Sequence, residues 1–212
     1  MNLHERRREY TREALDEATA ATHPFEQFQR WFEAARQADV LDENAMTLAT
    51  ADAKGQPSAR VVLLKELDAR GLVFFTDYRS RKGRELDANP QAAVVFYWAA
   101  LERQVRVGGR IERIAEAESQ AYFARRPEGS RIAAWASHQS AVLAERAALD
   151  ARVAALTAEH AHRDITLPPH WGGYRLLPDE FEFWQGRESR LHDRIFYHLT
   201  VAGGWQRGRL FP

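Results

Sequence analysis

The sequence predicts a mainly-β domain, a β-barrel with helices packed outside it. Segments rich in β-branched and aliphatic residues outnumber helix-patterned ones, and short turns join most of them. Such connections favour antiparallel meander pairing over alternating βαβ units. The 212-residue length is one that barrel-like domains fill as a single unit, and 45% apolar residues supply enough side chain for a core. The expected division is a charged arm, 1–22, that is partly flexible, followed by one domain, 23–212.

The elements follow in order. Pro24 opens a helix in which Phe25, Phe28, Phe32 and Ala35 form one apolar stripe. AMTLATA from Ala45 and ARVVLLKEL from Ala59 flank the turn-forming DAKGQP, and so predict a hairpin. LVFFTD predicts a third strand, and SRKGRELDANP a short helix beginning near Ser80. AAVVFYW and RQVRVGGRIERI predict two more strands. AEAESQAYFARRP predicts a helix stopped by Pro127, and the Ala-rich stretch from about Ser140 to His160 another. LPPHWGG interrupts the pattern. Three final strands are expected in YRLLPDEFEFWQG, RLHDRIFYHLT and WQRGRLFP, with Gly203 and Gly204 making a hairpin turn.

Composition excludes several classes of function. Thirty basic residues balance thirty acidic ones, so no long-range field gathers nucleic acid or an anionic membrane, and any anion site must be a local cluster. The absence of cysteine removes disulfides, a thiolate nucleophile, Cys-ligated zinc and iron–sulfur clusters. The charged N-terminal residues lack the apolar core of a secretory signal, and no apolar run approaches membrane-spanning length, so a cytoplasmic protein is expected. Dinucleotide, Walker, zincin and nucleophile-elbow motifs do not occur. His160 and His162 point to different sides of a predicted helix, with no carboxylate spaced to complete a metal site, so no metal is expected.

Four basic clusters remain. In RLHDR, strand periodicity would place Arg190, His192 and Arg194 on one face and Leu191, Asp193 and Ile195 on the other. Three basic groups side by side indicate either a solvated sheet face or an anionic ligand. RVVLLK closes an aliphatic centre with Arg60 and Lys65, and its commoner meaning is a core strand with charged ends. Strict alternation sends those two side chains to opposite faces, so one site uses both only at a bend or through backbone contacts. Ser80, Arg81 and Lys82 open a helix, whose free N–H groups and dipole favour a phosphate. Tyr122, Arg125, Arg126 and Ser130 combine cations and hydroxyls around a helix end, suited to phosphate oxygens but also compatible with a solvated C-terminus. Two separate phosphate-competent clusters suggest two phosphorylated ligands, a cofactor and a substrate.

Taken together and in order, RREY, RVVLLK, the FFT and SRKG spacing, ERQVRV, RRPEGSRIAAWAS with HQS, WGGYR, EFWQG, RLHDR and the terminal RLFP resemble the pyridoxamine/pyridoxine 5′-phosphate oxidase family over nearly the whole chain. The resemblance implies an FMN-binding split barrel working as a homodimer, with the flavin sites at the subunit interface. It implies flavin contacts from Arg60, Val61, Val62, Leu63, Leu64, Lys65, Phe75, Thr76, Arg81, Lys82, Gln104, Gln139, Ser140, Trp184 and Arg194. Arg81 and Lys82 would hold the FMN phosphate. Lys65, Tyr122, Arg126 and Ser130 would hold the substrate phosphate, with Arg190, Leu191 and His192 at the pyridine ring. Arg7, Arg8, Glu9 and Tyr10 match a segment that closes over the substrate. Arg190 and His192 are the implied catalytic residues, the first orienting the substrate over the flavin and the second hydrogen bonding to it. The implied reaction oxidises pyridoxamine or pyridoxine 5′-phosphate to pyridoxal 5′-phosphate with oxygen as acceptor. Two positions depart from the family pattern: Arg131, where Gln is frequent, and Ala141, where Ser is frequent. The alternatives are a related split-barrel flavoprotein acting on another small ring compound, such as a phenazine precursor, and a non-catalytic module that binds flavin or pyridoxal phosphate.

Overall fold

The computed structural model describes residues 9–161 and 163–212. Arg7, Arg8 and His162 lie outside the described residues.

The apolar stripe after Pro24 forms helix α1 (Pro24–Gln37), with Phe28, Trp31 and Ala35 buried. Four strands follow: β1 (Ala45–Ala51), β2 (Pro57–Leu63), the short β3 (Glu66–Asp68) and β4 (Gly71–Asp77). Helix α2 (Arg81–Ala88) starts where the SRKG pattern predicts, because the Ser80 hydroxyl accepts from the Gly83 N–H at 3.2 Å. Strands β5 (Gln91–Trp98) and β6 (Arg103–Arg113) lead to helices α3 (Glu116–Ala124), α4 (Glu128–Ala136) and α5 (Arg146–His160). The chain ends in β7 (Trp171–Gln185), β8 (Asp193–Leu199) and β9 (Trp205–Arg209).

All strand pairs are antiparallel, in the order β2-β1-β5-β6-β7-β4-β3. The fifteen-residue β7 splits the sheet: its first half pairs with β4 and its second half with β8, which pairs in turn with β9. Register shifts between Gly108 and Gly109, where the ladder bulges, and bulges of this kind increase the curl of a sheet. The resulting split barrel encloses Met46, Leu48, Phe74, Phe96, Val105, Phe181, Phe183 and Tyr197, and α1 closes it. Phe28 meets Phe96 at 5.0 Å and Trp31 meets Phe183 at 5.4 Å, each edge-on. Burial of such side chains contributes about 1.5–3 kcal/mol apiece. A smaller cluster of Phe123, Ile132, Ala134, Ile165 and Trp171 fixes the outer helices.

Several elements differ from the sequence expectation. RLHDR is not a strand. A 3-10 turn covers Glu188–Arg190, with Ser189 (φ 55°) and Arg190 (φ 61°) both left-handed, and β8 begins only at Asp193. The β7–β8 hairpin needs these residues as its connection, so period-two alternation does not govern them. Arg190, His192 and Arg194 therefore do not share a strand face. Helix α4 was not expected, and α5 begins at Arg146 rather than near Ser140, leaving a loop that carries Gln139 and Ser140. LPPHWGG breaks the pattern only briefly, since Trp171 already starts β7.

The segment from Glu9 to Ala21 lies against the barrel. The Leu15 N–H donates to Asp193 at 3.0 Å, Arg209 donates to the Leu15 carbonyl at 3.1 Å, and the Tyr197 hydroxyl donates to the Ala21 carbonyl at 2.6 Å. Glu13 pairs with the buried guanidinium of Arg103.

Candidate active site

The first cluster sits at the start of α2. Lys82 is only 7% exposed, yet among the described residues its ammonium donates only to neutral oxygens: Thr76 Oγ1 at 3.0 Å, Ser80 Oγ at 3.4 Å and Gln139 Oε1 at 2.5 Å. The Thr76 hydroxyl donates to Gln139 Oε1 at 2.8 Å, which draws the 137–145 loop onto the helix start. Burial, helped by the nearby Arg60 charge, pulls the Lys82 pKa down to about 8. A buried cation without a carboxylate in contact is costly, and an anion would relieve that cost. Arg60 and Arg81 flank Lys82 and meet on Glu85, at 3.2 and 2.8 Å. Strict alternation does not run through to Lys65: β2 ends at Leu63, and the Lys65 N–H donates to the Val73 carbonyl at 2.9 Å. Val61 and Leu63 point outward, 66% and 40% exposed, while Val62 is half-buried and Leu64 buried.

The second cluster joins α3 and α4. Phe75 on β4 stacks on Tyr122 with ring centres 3.8 Å apart, and Trp171 continues the stack 5.4 Å from Phe75. The Arg126 guanidinium lies 4.6 Å from the centre of the Trp171 ring, and its Nη1 is buried with no hydrogen-bond partner. Burial pushes the Arg126 pKa down and the Tyr122 phenol up, so the phenol remains a donor at neutral pH. Ser130 is half-buried on the first turn of α4, and Arg131 beside it also has a buried Nε without a partner. Buried donors without partners are suited to acceptor oxygens of a ligand. Lys65 is exposed, and no contact places it beside Tyr122 or Arg126.

The third cluster lies at the opposite end of β7. Trp184, His192 and Tyr10 form a ring cluster with centres 4.6 Å (Trp184 to His192), 5.7 Å (Tyr10 to His192) and 5.7 Å (Tyr10 to Trp184) apart. The absence of a side chain at Gly186 admits Tyr10, because a Cβ there would lie 2.7 Å from Tyr10 Cγ. The Arg187 N–H donates to His192 Nδ1 at 3.1 Å. Burial, then the Arg190 charge, lowers the His192 pKa, so at neutral pH the ring is neutral and carries its proton on Nε2. Glu9 accepts from the Ser189 N–H at 3.2 Å and thereby braces the left-handed turn that presents Arg190. Leu191 is 69% exposed beside a cleft of about 540 Å³ that Tyr10, Arg12, Arg187 and Ser189 also line. Arg194 is opposite Trp184 in the β7–β8 ladder and donates to both Glu182 oxygens, at 2.8 and 3.0 Å, and to the Phe211 carbonyl at 2.8 Å. Gln104 is opposite Trp184 in the β6–β7 ladder.

Sequence reasoning missed the two carboxylates behind these cations: Glu182 lies 12 residues from Arg194 and Glu85 25 residues from Arg60, separations that leave no local pattern, although the i+4 spacing of Glu85 from Arg81 was a readable signal. It also missed Trp171, although an aromatic residue opening the strand after LPPH was a signal. Among the described residues no group of three or more His, Cys, Asp or Glu could hold a metal, and no helix is long and apolar enough to cross a membrane.

The fold is a split antiparallel barrel that carries two partly buried cation clusters and an aromatic cleft. A family model described as pyridoxamine 5′-phosphate oxidase matches residues 32–160, and one described as the pyridoxine 5′-phosphate oxidase C-terminal dimerisation region matches residues 171–212. The chain belongs to the pyridoxamine 5′-phosphate oxidase family. It is 58% identical over 205 residues to a pyridoxine/pyridoxamine 5′-phosphate oxidase of Burkholderia orbicola, covering 96% of this chain and 95% of the relative. Among solved structures, PhzG from Burkholderia lata, in complex with tetrahydrophenazine-1-carboxylic acid, superposes with a TM-score of 0.88 at 34% identity, covering 94% of this chain and 98% of that one. A pyridoxamine 5′-phosphate oxidase-related, FMN-binding protein of Nostoc punctiforme shares the fold, with a TM-score of 0.72 at 19% identity over 91% of this chain and 100% of that one.

Proposed function

We propose that the protein is an FMN-dependent oxidase that converts pyridoxamine 5′-phosphate and pyridoxine 5′-phosphate to pyridoxal 5′-phosphate and reduces oxygen to hydrogen peroxide. The observation that carries this reading is the half-buried Arg126, whose buried Nη1 has no partner among the described residues, with the Tyr122 phenol near enough to interact with its charge and Ser130 on the following helix. That donor set fits a phosphate monoester. The family and the Burkholderia orbicola relative support the same substrate class.

The Lys82 cluster fits the FMN phosphate, with a buried ammonium, two arginines and the N-terminus of α2 converging on it. Thr76, Gln139 and the strand backbone from Arg60 to Lys65 would hold the rest of the flavin on that side, and Gln104, Ser140, Trp184 and Arg194 would complete its surroundings. FMN, when bound, supplies the two-electron acceptor at its N5.

The chain's own residues bind and orient. Arg126, Tyr122, Ser130 and Lys65 would anchor the substrate phosphate. Arg190 would hold the pyridine ring so that C4′ faces the flavin, and the His192 Nε2–H would donate to a ring substituent while the Arg187 N–H fixes the imidazole from behind. Tyr10, and with it residues 7–9, would cover the ring and exclude water. The substrate loses a hydride from C4′ and a proton from its oxygen or nitrogen. The alcohol gives the aldehyde directly, and the amine gives an imine that water hydrolyses with loss of ammonia.

One chain does not bring these parts together. Thr76 pairs with Gly172 near the start of β7, whereas Trp184 lies twelve steps along the same strand, up to about 40 Å away at 3.3 Å per residue. A second copy that places its Trp184 and His192 end against the Lys82 end of the first completes each site. The apolar outward face of edge strand β2, with Val61 and Leu63, supports such a contact, as does the matched dimerisation region. The working form proposed is therefore a cytoplasmic homodimer with two flavin sites.

A second reading rests on the likeness to PhzG: oxidation of a tricyclic carboxylic acid. Incubation with FMN and each candidate substrate separates the two. Peroxide and pyridoxal 5′-phosphate in equal amounts are expected, and turnover of tetrahydrophenazine-1-carboxylic acid with none of the B6 phosphates would overturn the proposal.

A further inference from the structure

Glu85 is almost wholly buried, 5% exposed, belongs to no implied ligand set, and pairs with both Arg60 and Arg81, two of the implied flavin-binding cations. It lies on α2 one turn after Arg81 and faces β1 and β2. Its Oε2 accepts from the Thr50 hydroxyl at 2.5 Å, the Ser58 hydroxyl at 2.6 Å and Arg60 Nη2 at 3.2 Å. Its Oε1 accepts from Arg81 Nε at 2.8 Å. Ser58 and Thr50 in turn accept from the two terminal nitrogens of Arg60. The carboxylate is thus the node of a network that fixes two guanidinium groups against two strands.

We infer that Glu85 is a positioning residue for a phosphate monoester dianion: it holds Arg60 and Arg81 beside Lys82 and trims the charge of the three cations to match the ligand. The inference rests on the reading that this cluster receives the flavin phosphate.

Three arguments support it. Two arginines and a buried lysine in one cluster repel one another, and an ordered arrangement needs a fixed counter-charge. Asp77, the other carboxylate that acts on Lys82, is neutralised by Arg79 at 2.8 Å, so Glu85 against Arg60, Arg81 and Lys82 leaves an excess of two positive charges, which complements a monoester near full ionisation at neutral pH. Binding Arg81 through Nε also leaves its terminal nitrogens for the anion, so the carboxylate orients the guanidinium without occupying its fork. The side chain is kept ionised throughout: burial raises its pKa, but the hydrogen bonds from Ser58, Thr50 and Arg81 outweigh burial and hold it at about 2.

A structural role alone would weaken every ligand of the protein alike, whereas a positioning role is specific to the phosphate. The test compares FMN with riboflavin, which lacks the phosphate, by quenching of flavin fluorescence on titration into flavin-free full-length protein. Glu85→Ala is expected to weaken FMN about tenfold or more, the value of one charge-assisted hydrogen bond, and to leave riboflavin binding where it was. Glu85→Gln keeps the shape and one acceptor, guards against misfolding, and is expected to fall between wild type and Glu85→Ala. Equal losses for FMN and riboflavin in both variants would overturn the inference, as would FMN binding that is unchanged or tighter. Arg81→Ala with Lys82→Ala tests the underlying reading: if that double variant leaves the preference for FMN over riboflavin intact, the flavin phosphate lies elsewhere.

Discussion

Replacing Arg126 with Met should separate binding from folding. In the free protein, the buried Nη1 without a partner costs about 1–3 kcal/mol. The guanidinium over Trp171 at 4.6 Å returns about 0.5–2 kcal/mol of cation–π attraction. Met keeps the apolar stem and removes both contributions, so the stability of the ligand-free protein should stay within about 1 kcal/mol of wild type. The bound state is different, since the lost charge-assisted contact to phosphate is worth about 1.5–3 kcal/mol, or roughly 10–100-fold in affinity. The assays are urea unfolding of the ligand-free variant and steady-state kinetics with pyridoxine 5′-phosphate, for which KM should rise by that factor. Unphosphorylated pyridoxine should be handled as by wild type. A large loss of stability with an unchanged KM would show that Arg126 is a structural residue and refute the reasoning.

Other consequences can be checked in parallel. Lys82 is protonated below about pH 8 in the free protein and is held protonated by a bound phosphate, so FMN affinity should fall as pH rises past about 8 while riboflavin affinity stays flat in titrations from neutral to alkaline pH. The same depressed pKa means that Lys82 destabilises the flavin-free fold below its folded value and that this penalty fades between about pH 8 and 10.5, visible as a rise in urea midpoint relative to Lys82→Met. Gly186→Ala should push Tyr10 off the His192 and Trp184 rings, raising the substrate KM with little change in FMN binding. Val61→Lys places a charge on the outward face of β2 and should yield monomers that release FMN, seen by sedimentation and by flavin fluorescence.

The parts of the fold that were legible in the sequence are those governed by local rules. The α1 stripe follows from helical spacing, and the start of α2 from a serine whose hydroxyl caps its own helix. The hairpin turns follow from DAKGQP and the paired glycines near Gly203. RLHDR misled because its basic residues alternate like a strand while Ser189 and Arg190 adopt left-handed angles with no glycine or asparagine to signal a turn. Helix α4 was hidden because Pro127, Gly129 and Ser130 have the chemistry of a loop, although Pro127 at the cap and Glu128 in the first turn were available signs. At the site, the cation clusters could be read, and of their counter-charges only Glu85 left a local sign, its i+4 spacing from Arg81. Glu85 is brought to Arg60 by strand packing, and Tyr122 meets Phe75 only after α3 folds onto β4.

The central claim concerns which ring compound the aromatic cleft and the Arg126 pocket accept. Anaerobic mixing of the FMN-loaded protein with pyridoxine 5′-phosphate, followed by flavin absorbance, tests it most directly. The account predicts bleaching with one pyridoxal 5′-phosphate formed per flavin, and no bleaching with tetrahydrophenazine-1-carboxylic acid. Bleaching by the phenazine acid alone would contradict it.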